Sequence, residues 1–435
     1  MKELLSIEKE ILLKINVDKS WSFADKTIKD TTYITHGYYT YPAKFIPQLA
    51  SRLINELSKE NDIVIDPFMG SGTTIVESIV NKRIGIGTDI NDIAYLVTKV
   101  KTTPIKPLAL MGEMNKIELD LQNRLNGQYD FFLNKSKELL PNNERIDYWF
   151  LPIQKDKLSI IFTRILEIQN KDVRDFFFVA FAQILKSCSI WLQKSVKPTR
   201  DKNKKIYEPL PLFLNQLKKM IRKHYYFDKI LDVKIKEEIN NYRIVRCEDA
   251  RNLPFEDEKA TLIITSPPYV TSYEYADLHQ LPSLWFGYLD ELSEFRKKFI
   301  GSAYKEREAV DLKSSLAEET FLLLGDNKKG REVKNYFADM LESFIEMKRV
   351  LKKSGKACIV IGNTQFKGVK ILNAEIFKEQ LENIGFRTYD IIHREIPSKM
   401  LPSTRDISNG QFVKSSSDSL KLAYPTEYIL VMEKL

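Results

Sequence analysis

Asp66-Pro67-Phe68-Met69-Gly70-Ser71-Gly72-Thr73-Thr74 follows Ile63-Val64-Ile65, and together they decide the fold. The apolar run reads as a buried parallel strand. Gly70 and Gly72 let backbone approach a ligand closely, and Thr73-Thr74 can open a helix. A glycine-rich turn by itself is also what many ordinary strand–helix joints look like. Asp89, near the end of the next apolar run at Arg83–Ile90, narrows the reading. An acid about twenty residues beyond such a turn is placed to hold ribose hydroxyls. No Gly-Lys-Ser/Thr follows, so the turn is not built for a polyphosphate. It suits a nucleoside cofactor.

A second turn, Thr265-Ser266-Pro267-Pro268-Tyr269, follows another apolar run, Leu262-Ile263-Ile264. Ligands of open α/β sheets bind at such strand ends. Two prolines stiffen the turn and remove backbone donors, so its carbonyls are left to accept. An exocyclic amine on a flat base offers two N–H donors and a poorly nucleophilic nitrogen. Ser266 Oγ and the Pro267 carbonyl suit those hydrogens, and Tyr269 suits the base face. The plain alternative is a β-turn that merely ends a strand.

Around these turns the sequence predicts an α/β, doubly wound, mostly parallel sheet with a helical insertion. Residues 1–60 read as helical, interrupted by a Tyr-rich loop at Tyr33–Tyr41. Residues 1–103 form a cofactor-binding half, 104–240 a helical insertion that includes a candidate DNA-recognition region, and 241–435 a catalytic half. In the last, strands are expected at Tyr242–Cys247, Ala260–Thr265 and Lys356–Gly362. A helix is expected over Tyr336–Lys352, stopped at Ser354-Gly355. Another is expected at Asn373–Asn383, and Phe386–Ile396 with Glu427–Glu433 reads as a closing antiparallel pair.

The chain has 435 residues, 43% hydrophobic and 29% charged, with a net charge of +8. The excess is local: from Lys186 to Lys223 eleven Lys or Arg face only Asp201 and Glu208. Aromatics are interleaved there (Trp191, Tyr207, Phe213), which fits phosphate contact from Lys194, Lys197, Arg200, Lys202, Lys204 and Lys205. A solvated surface loop is the plain alternative. Three scattered cysteines and four scattered histidines give no disulfide framework and no metal site. No signal peptide and no membrane span is read, so a cytoplasmic location is expected. His36, Tyr38, Tyr39 and Tyr41 read equally as core or as a cofactor lid. Tyr273-Glu274-Tyr275-Ala276-Asp277 reads equally as base pocket or packing helix, and Ser398–Arg405 as a further DNA-facing loop.

On these residues the chain resembles the S-adenosylmethionine-dependent DNA amino-methyltransferases of the cytosine-N4 type. Asp66, Phe68, Gly70, Ser71, Gly72, Thr73 and Thr74 match that family's first cofactor motif, and Asp89 with Ile90 its ribose-binding acid. Asp249-Ala250 resembles the position near the adenine ring. Tyr41-Pro42-Ala43-Lys44-Phe45-Ile46-Pro47 resembles the segment that closes over the methionine end. Ser266, Pro267, Pro268 and Tyr269 match the catalytic motif, in which a leading Ser goes with cytosine and Asp or Asn with adenine. The resemblance implies S-adenosylmethionine as cofactor, duplex DNA as substrate, base flipping, no metal, and a restriction–modification setting in which a cognate endonuclease is a candidate companion. Adenine-N6 methylation, RNA methylation and a catalytically dead DNA-binding protein stay open as alternatives. The insertion between Asp89 and Asp249 has no counterpart in the motifs, so it leaves base reading and oligomeric state unassigned.

Overall fold

The structure is a computed structural model that describes residues 11–42, 44–127, 129–140, 143–193, 195, 197–270, 275–289, 291–302, 310–366, 369–396, 404–406, 420–422 and 425–435. Its strands are β1 (Ile63–Asp66), β2 (Ile84–Thr88), β3 (Arg243–Arg246), β4 (Ala260–Thr265), β5 (Leu351–Ile361), β6 (Thr364–Phe366), β7 (Val369–Ile371), β8 (Phe386–Glu395), β9 (Thr404–Asp406), β10 (Leu420–Leu422) and β11 (Thr426–Lys434). Seven of them form one sheet in the order β3-β2-β1-β4-β5-β11-β8. The pairs from β3 through β5 are parallel, and β11 runs antiparallel between β5 and β8. Strand order reverses between β1 and β4. That is the switch point at which doubly wound sheets open a crevice, and both signature turns leave from its two sides.

Alternation along the central strands assigns the two faces. Ile65, Ile263 and Ile359 pack on one side with Phe337, Phe344 and Phe377 from the helices Lys328–Val350 and Asn373–Asn383. Val64, Leu262 and Val360 pack on the other with Leu49, Leu53 and Ile54 of the helix Pro47–Leu57. Between β2 and β3 the chain is helical, with long helices at Pro107–Asn126, Pro152–Leu166, Lys171–Cys188 and Pro209–Ile230. Their core is continuous with Ile93, Val97 and Val100 behind β2, and with Leu281, Leu284 and Trp285 downstream of β4. Among the described residues no helix is long and apolar enough to cross a membrane, and no cluster of His, Cys, Asp or Glu is arranged to hold a metal ion.

Two local expectations are corrected. Over 11–60 the described residues hold short 3₁₀ turns, a four-residue helix at Ile28–Thr31, and only one helix of several turns, Pro47–Leu57. Apolar residues recur there because they reach into the sheet core, as Leu12 and Trp21 do, without helical periodicity. Nor does Ser354-Gly355 end a helix. The helix stops at Val350, and Leu351 already pairs with Ala260 of β4. The register then jumps to Leu262 opposite Lys356, so Lys352–Gly355 bulges out, with Ser354 at φ +61°.

Candidate active site

β1 delivers Asp66 to the crevice with its side chain buried. Its Oδ1 accepts from Thr265 Oγ1 at 2.6 Å and from the Phe68 amide at 3.1 Å, which ties the two signature turns together. Burial pushes this carboxyl up to about 6. The glycine turn is held from behind by the helix Asp92–Thr102. Thr98 Oγ1 donates to the Gly70 carbonyl at 3.0 Å, and buried Lys101 donates to the Ser71 carbonyl. Gly72 sits at φ +73°, where a Cβ would lie 2.5 Å from Thr98 Cγ2, so only glycine fits. Gly70, at φ +46°, donates its amide to Asp89 Oδ2 at 3.0 Å. Asp89 Oδ1 accepts from the Asn91 amide at 2.9 Å, and burial pushes the Asp89 carboxyl up to about 6.

Around this turn Tyr41, Lys44, Phe45, Asp66, Phe68, Gly70, Ser71, Thr73, Asp89, Ile90, Asp249 and Ala250 line one cleft, along with Ser266, Pro267, Pro268 and Tyr269. Gly72 and Thr74 do not line it. They shape it, Thr74 by donating to the Ile264 carbonyl at 3.2 Å. Tyr41 is stacked on buried His279, with ring centroids 4.6 Å apart. His36, Tyr38 and Tyr39 belong to the core: His36 Nε2 lies 2.7 Å from Glu77 Oε1, and the Tyr38 hydroxyl 2.8 Å from His224 Nδ1. Asp249 is engaged by Arg251, which also reaches Asp339 at 2.9 Å. Glu248, Lys298, Phe299 and Ile300 complete the wall. No motif pointed to residues 298–300, because they enter from the end of the helix Leu292–Lys298, outside both signature turns.

The donor set tests the cofactor. Four acids (Asp66, Asp89, Glu248, Asp249) face two lysines. Of these Lys44 is spent on the His36 carbonyl at 2.9 Å, and burial draws its ammonium down to about 8. Ser71 Oγ is buried without a hydrogen-bond partner. Such a wall repels phosphate and fits a cationic nucleoside with hydroxyl and amine donors, as S-adenosylmethionine is.

Pro268, Tyr269, Phe299 and Ile300 also line a second, adjoining cleft of about 500 Å³. That volume lies within the range of small-molecule sites. Its other walls mix apolar residues such as Val270, Leu278 and Leu292 with polar ones: Arg145 and Lys197 from the insertion, with Asp277, Gln280, Arg296 and Lys329. Asp277 takes two contacts from Arg296, at 2.8 and 3.0 Å. Gln280 Oε1 accepts from Arg145 at 3.1 Å and Trp149 at 3.0 Å, so an insertion helix is keyed to the segment after β4. Tyr336 donates its hydroxyl to the Pro268 carbonyl at 2.8 Å. Sequence reasoning placed Lys197 near DNA and missed Arg145 and Gln280, whose bonds span 135 residues.

The cationic stretch divides. Lys197, Arg200, Lys202 and Lys205 are exposed, with Arg200 over the Tyr148 ring at 4.2 Å. Lys204 is turned inward and donates to the carbonyls of Lys186, Ser189 and Trp191 at 2.5, 3.0 and 2.7 Å. This corrects its expected phosphate role: the ammonium is a strut for the loop. Lys194, Tyr273, Glu274 and residues 398–403 lie outside the described residues.

Comparison with known proteins agrees with this geometry. The chain is 27% identical over 409 residues to the Type II methyltransferase M.MvaI of Kocuria varians, covering 87% of this chain and 88% of that protein. It is 23% identical to the Type II methyltransferase M.MjaII of Methanocaldococcus jannaschii, covering 93% and 83%. The Orphan methyltransferase M.BamHII of Bacillus amyloliquefaciens is 49% identical over 53 residues, 12% of this chain and 20% of that protein. A family described as DNA methylase matches residues 7–99 and 260–435, which hold both signature turns and omit the helical insertion. The chain belongs to this N6/N4 DNA methylase family, and its methyl donor is S-adenosylmethionine.

Proposed function

We propose that this DNA methylase transfers a methyl group to the exocyclic N4 of cytosine in duplex DNA. One observation carries the reading: a single turn lies between two adjoining clefts, with Ser266 and Pro267 on the acid-lined cofactor cleft and Pro268 and Tyr269 on both that cleft and the 500 Å³ one. A base that leaves the duplex and enters the second cleft meets Tyr269 on its face, and its amine, reaching past Tyr269 into the cofactor cleft, meets the turn's acceptors there. Ser266 Oγ and the Pro267 carbonyl take the two amine hydrogens. The Pro268 carbonyl is already engaged by Tyr336. Drawing both hydrogens toward these oxygens frees the nitrogen lone pair from the ring.

Bound S-adenosylmethionine supplies a methyl group on a positively charged sulfur. The protein's own work is orientation and electrostatics. The nitrogen becomes acidic as it is alkylated, so no side chain needs to remove a proton beforehand. Lys197, Arg200, Lys202 and Lys205 supply phosphate contacts that position the duplex. The Type II methyltransferase relatives support a restriction–modification setting; a cytoplasmic location and a cognate endonuclease as companion are part of the same proposal.

The test is incubation of the purified protein with unmethylated DNA and cofactor, followed by mass analysis of the nucleosides. N4-methylcytosine is expected. N6-methyladenine alone would overturn the cytosine reading and promote adenine as the target.

A further inference from the structure

We infer that Glu427 and Arg394 are positioning residues that fix the plane and electronic character of the Tyr269 ring. The inference rests on the proposal that Tyr269 stacks on the target base.

The sheet explains how these groups reach the site. β11 is antiparallel to β5 and β8, so its first residues lie at the edge where β4 and β5 end. Glu427, second in β11, stands directly opposite Arg394 of β8 in the register. Arg394 Nη1 donates to Glu427 Oε1 at 2.7 Å, and the two side chains are only 4% and 10% exposed. Glu427 Oε2 turns the other way and accepts from the Tyr269 hydroxyl at 3.1 Å. Tyr336 anchors the adjoining Pro268 carbonyl. Gly362, which follows β5, lies beside the ring edge, where a Cβ would make an ordinary contact 3.5 Å from Tyr269 Cε2. The ring is thus held at its hydroxyl and through the anchored backbone of the preceding residue.

A buried ion pair is a poor device for stability, because desolvating two charges offsets much of their attraction. An apolar pair across β8 and β11 would pack as well. What an apolar pair lacks is a second carboxylate oxygen for the phenol. That oxygen does two things. It holds the ring plane, so a base sliding against it meets a preset surface. It also draws the phenolic proton outward and leaves the ring richer in electrons. The amine nitrogen gains positive charge as it takes the methyl group, and an electron-rich ring face attracts cationic charge.

The test uses the full chain on unmethylated bacteriophage DNA. Variants are Tyr269→Phe, Glu427→Gln, their combination, and Arg394→Met/Glu427→Met, which removes both charges so that neither is stranded. Tyr269→Phe and Glu427→Gln should each lower kcat about tenfold, while KM for DNA and cofactor affinity stay within about twofold. The combination should lose no more than the worse single variant, because both changes cut the same link. The paired methionine variant should melt near the wild type and show the same kcat loss. Tyr269→Phe at the wild-type rate, or single losses that multiply, would overturn the inference. If the wild type methylates adenine, the cytosine reading alone fails, since the same coupling is then read on that product.

Discussion

Asp89 sits between two demands. The turn needs its oxygens for the Gly70 and Asn91 amides, and in the proposed role the nucleoside's hydroxyls compete for them. Burial raises its carboxyl to about 6, against an ordinary value near 3.8. An acid raised on folding keeps its proton longer in the folded state. Its contribution to stability is therefore full below about 4 and is lost as pH rises through about 6. Binding of a cationic cofactor runs the other way, because it favours the ionised form. Cofactor affinity measured by calorimetry should fall about tenfold from pH 7 to pH 5, and Asp89→Asn should bind weakly with a flattened profile. Asp66 titrates in the same window, so part of the slope will survive in that variant. Ser266 is a cleaner case. It lines the cleft at the head of the rigid turn, and Ser266→Ala removes one acceptor with little change in volume. Turnover should drop roughly a hundredfold with cofactor affinity unchanged. A variant with wild-type turnover would remove Ser266 from the chemistry.

The loop after Cys188 shows what a local pattern cannot tell. Six cations in a short stretch look alike as letters, whether an ammonium meets water or carbonyl oxygen. The fold separates them: Lys204 braces three carbonyls, and burial draws its ammonium down to about 8, whereas Lys202 and Lys205 face outward. Lys204→Met should lower the melting temperature by about 3 °C. Lys202→Gln/Lys205→Gln should leave melting unchanged and reduce the slope of log affinity against log salt by about 2, equally for all DNA sequences. An unchanged slope would return these two lysines to solvated surface. The β5 entry teaches the same lesson. Gly355 read as a helix stop because glycine often is one, but pairing of Leu351 with Ala260 ended the helix earlier. Strand partners that settle such a joint lie about ninety residues away and leave no local mark.

At the scale of the molecule, the elements announced by short motifs were legible. The β1 and β4 turns, Asp89 and the closing antiparallel pair each depend on a few adjacent residues with strong periodicity. The second cleft was not legible, since its walls are assembled from residues 145, 197, 280, 296 and 329. Nor was the depth of the insertion's attachment. Trp285, a few turns after the catalytic motif, lies 5.4 Å from Phe181, 5.6 Å from Phe150 and 5.9 Å from Phe162, ring to ring. Grafting residues 104–240 alone into a relative should therefore give insoluble protein, while carrying 275–300 with them should restore a soluble one, as a side-by-side expression trial would show. A soluble graft of 104–240 alone would show that the shared aromatic core is dispensable. For anyone rebuilding such an enzyme, the consequence is practical: the helical insertion and the catalytic half share one aromatic lock, and they must be inherited together.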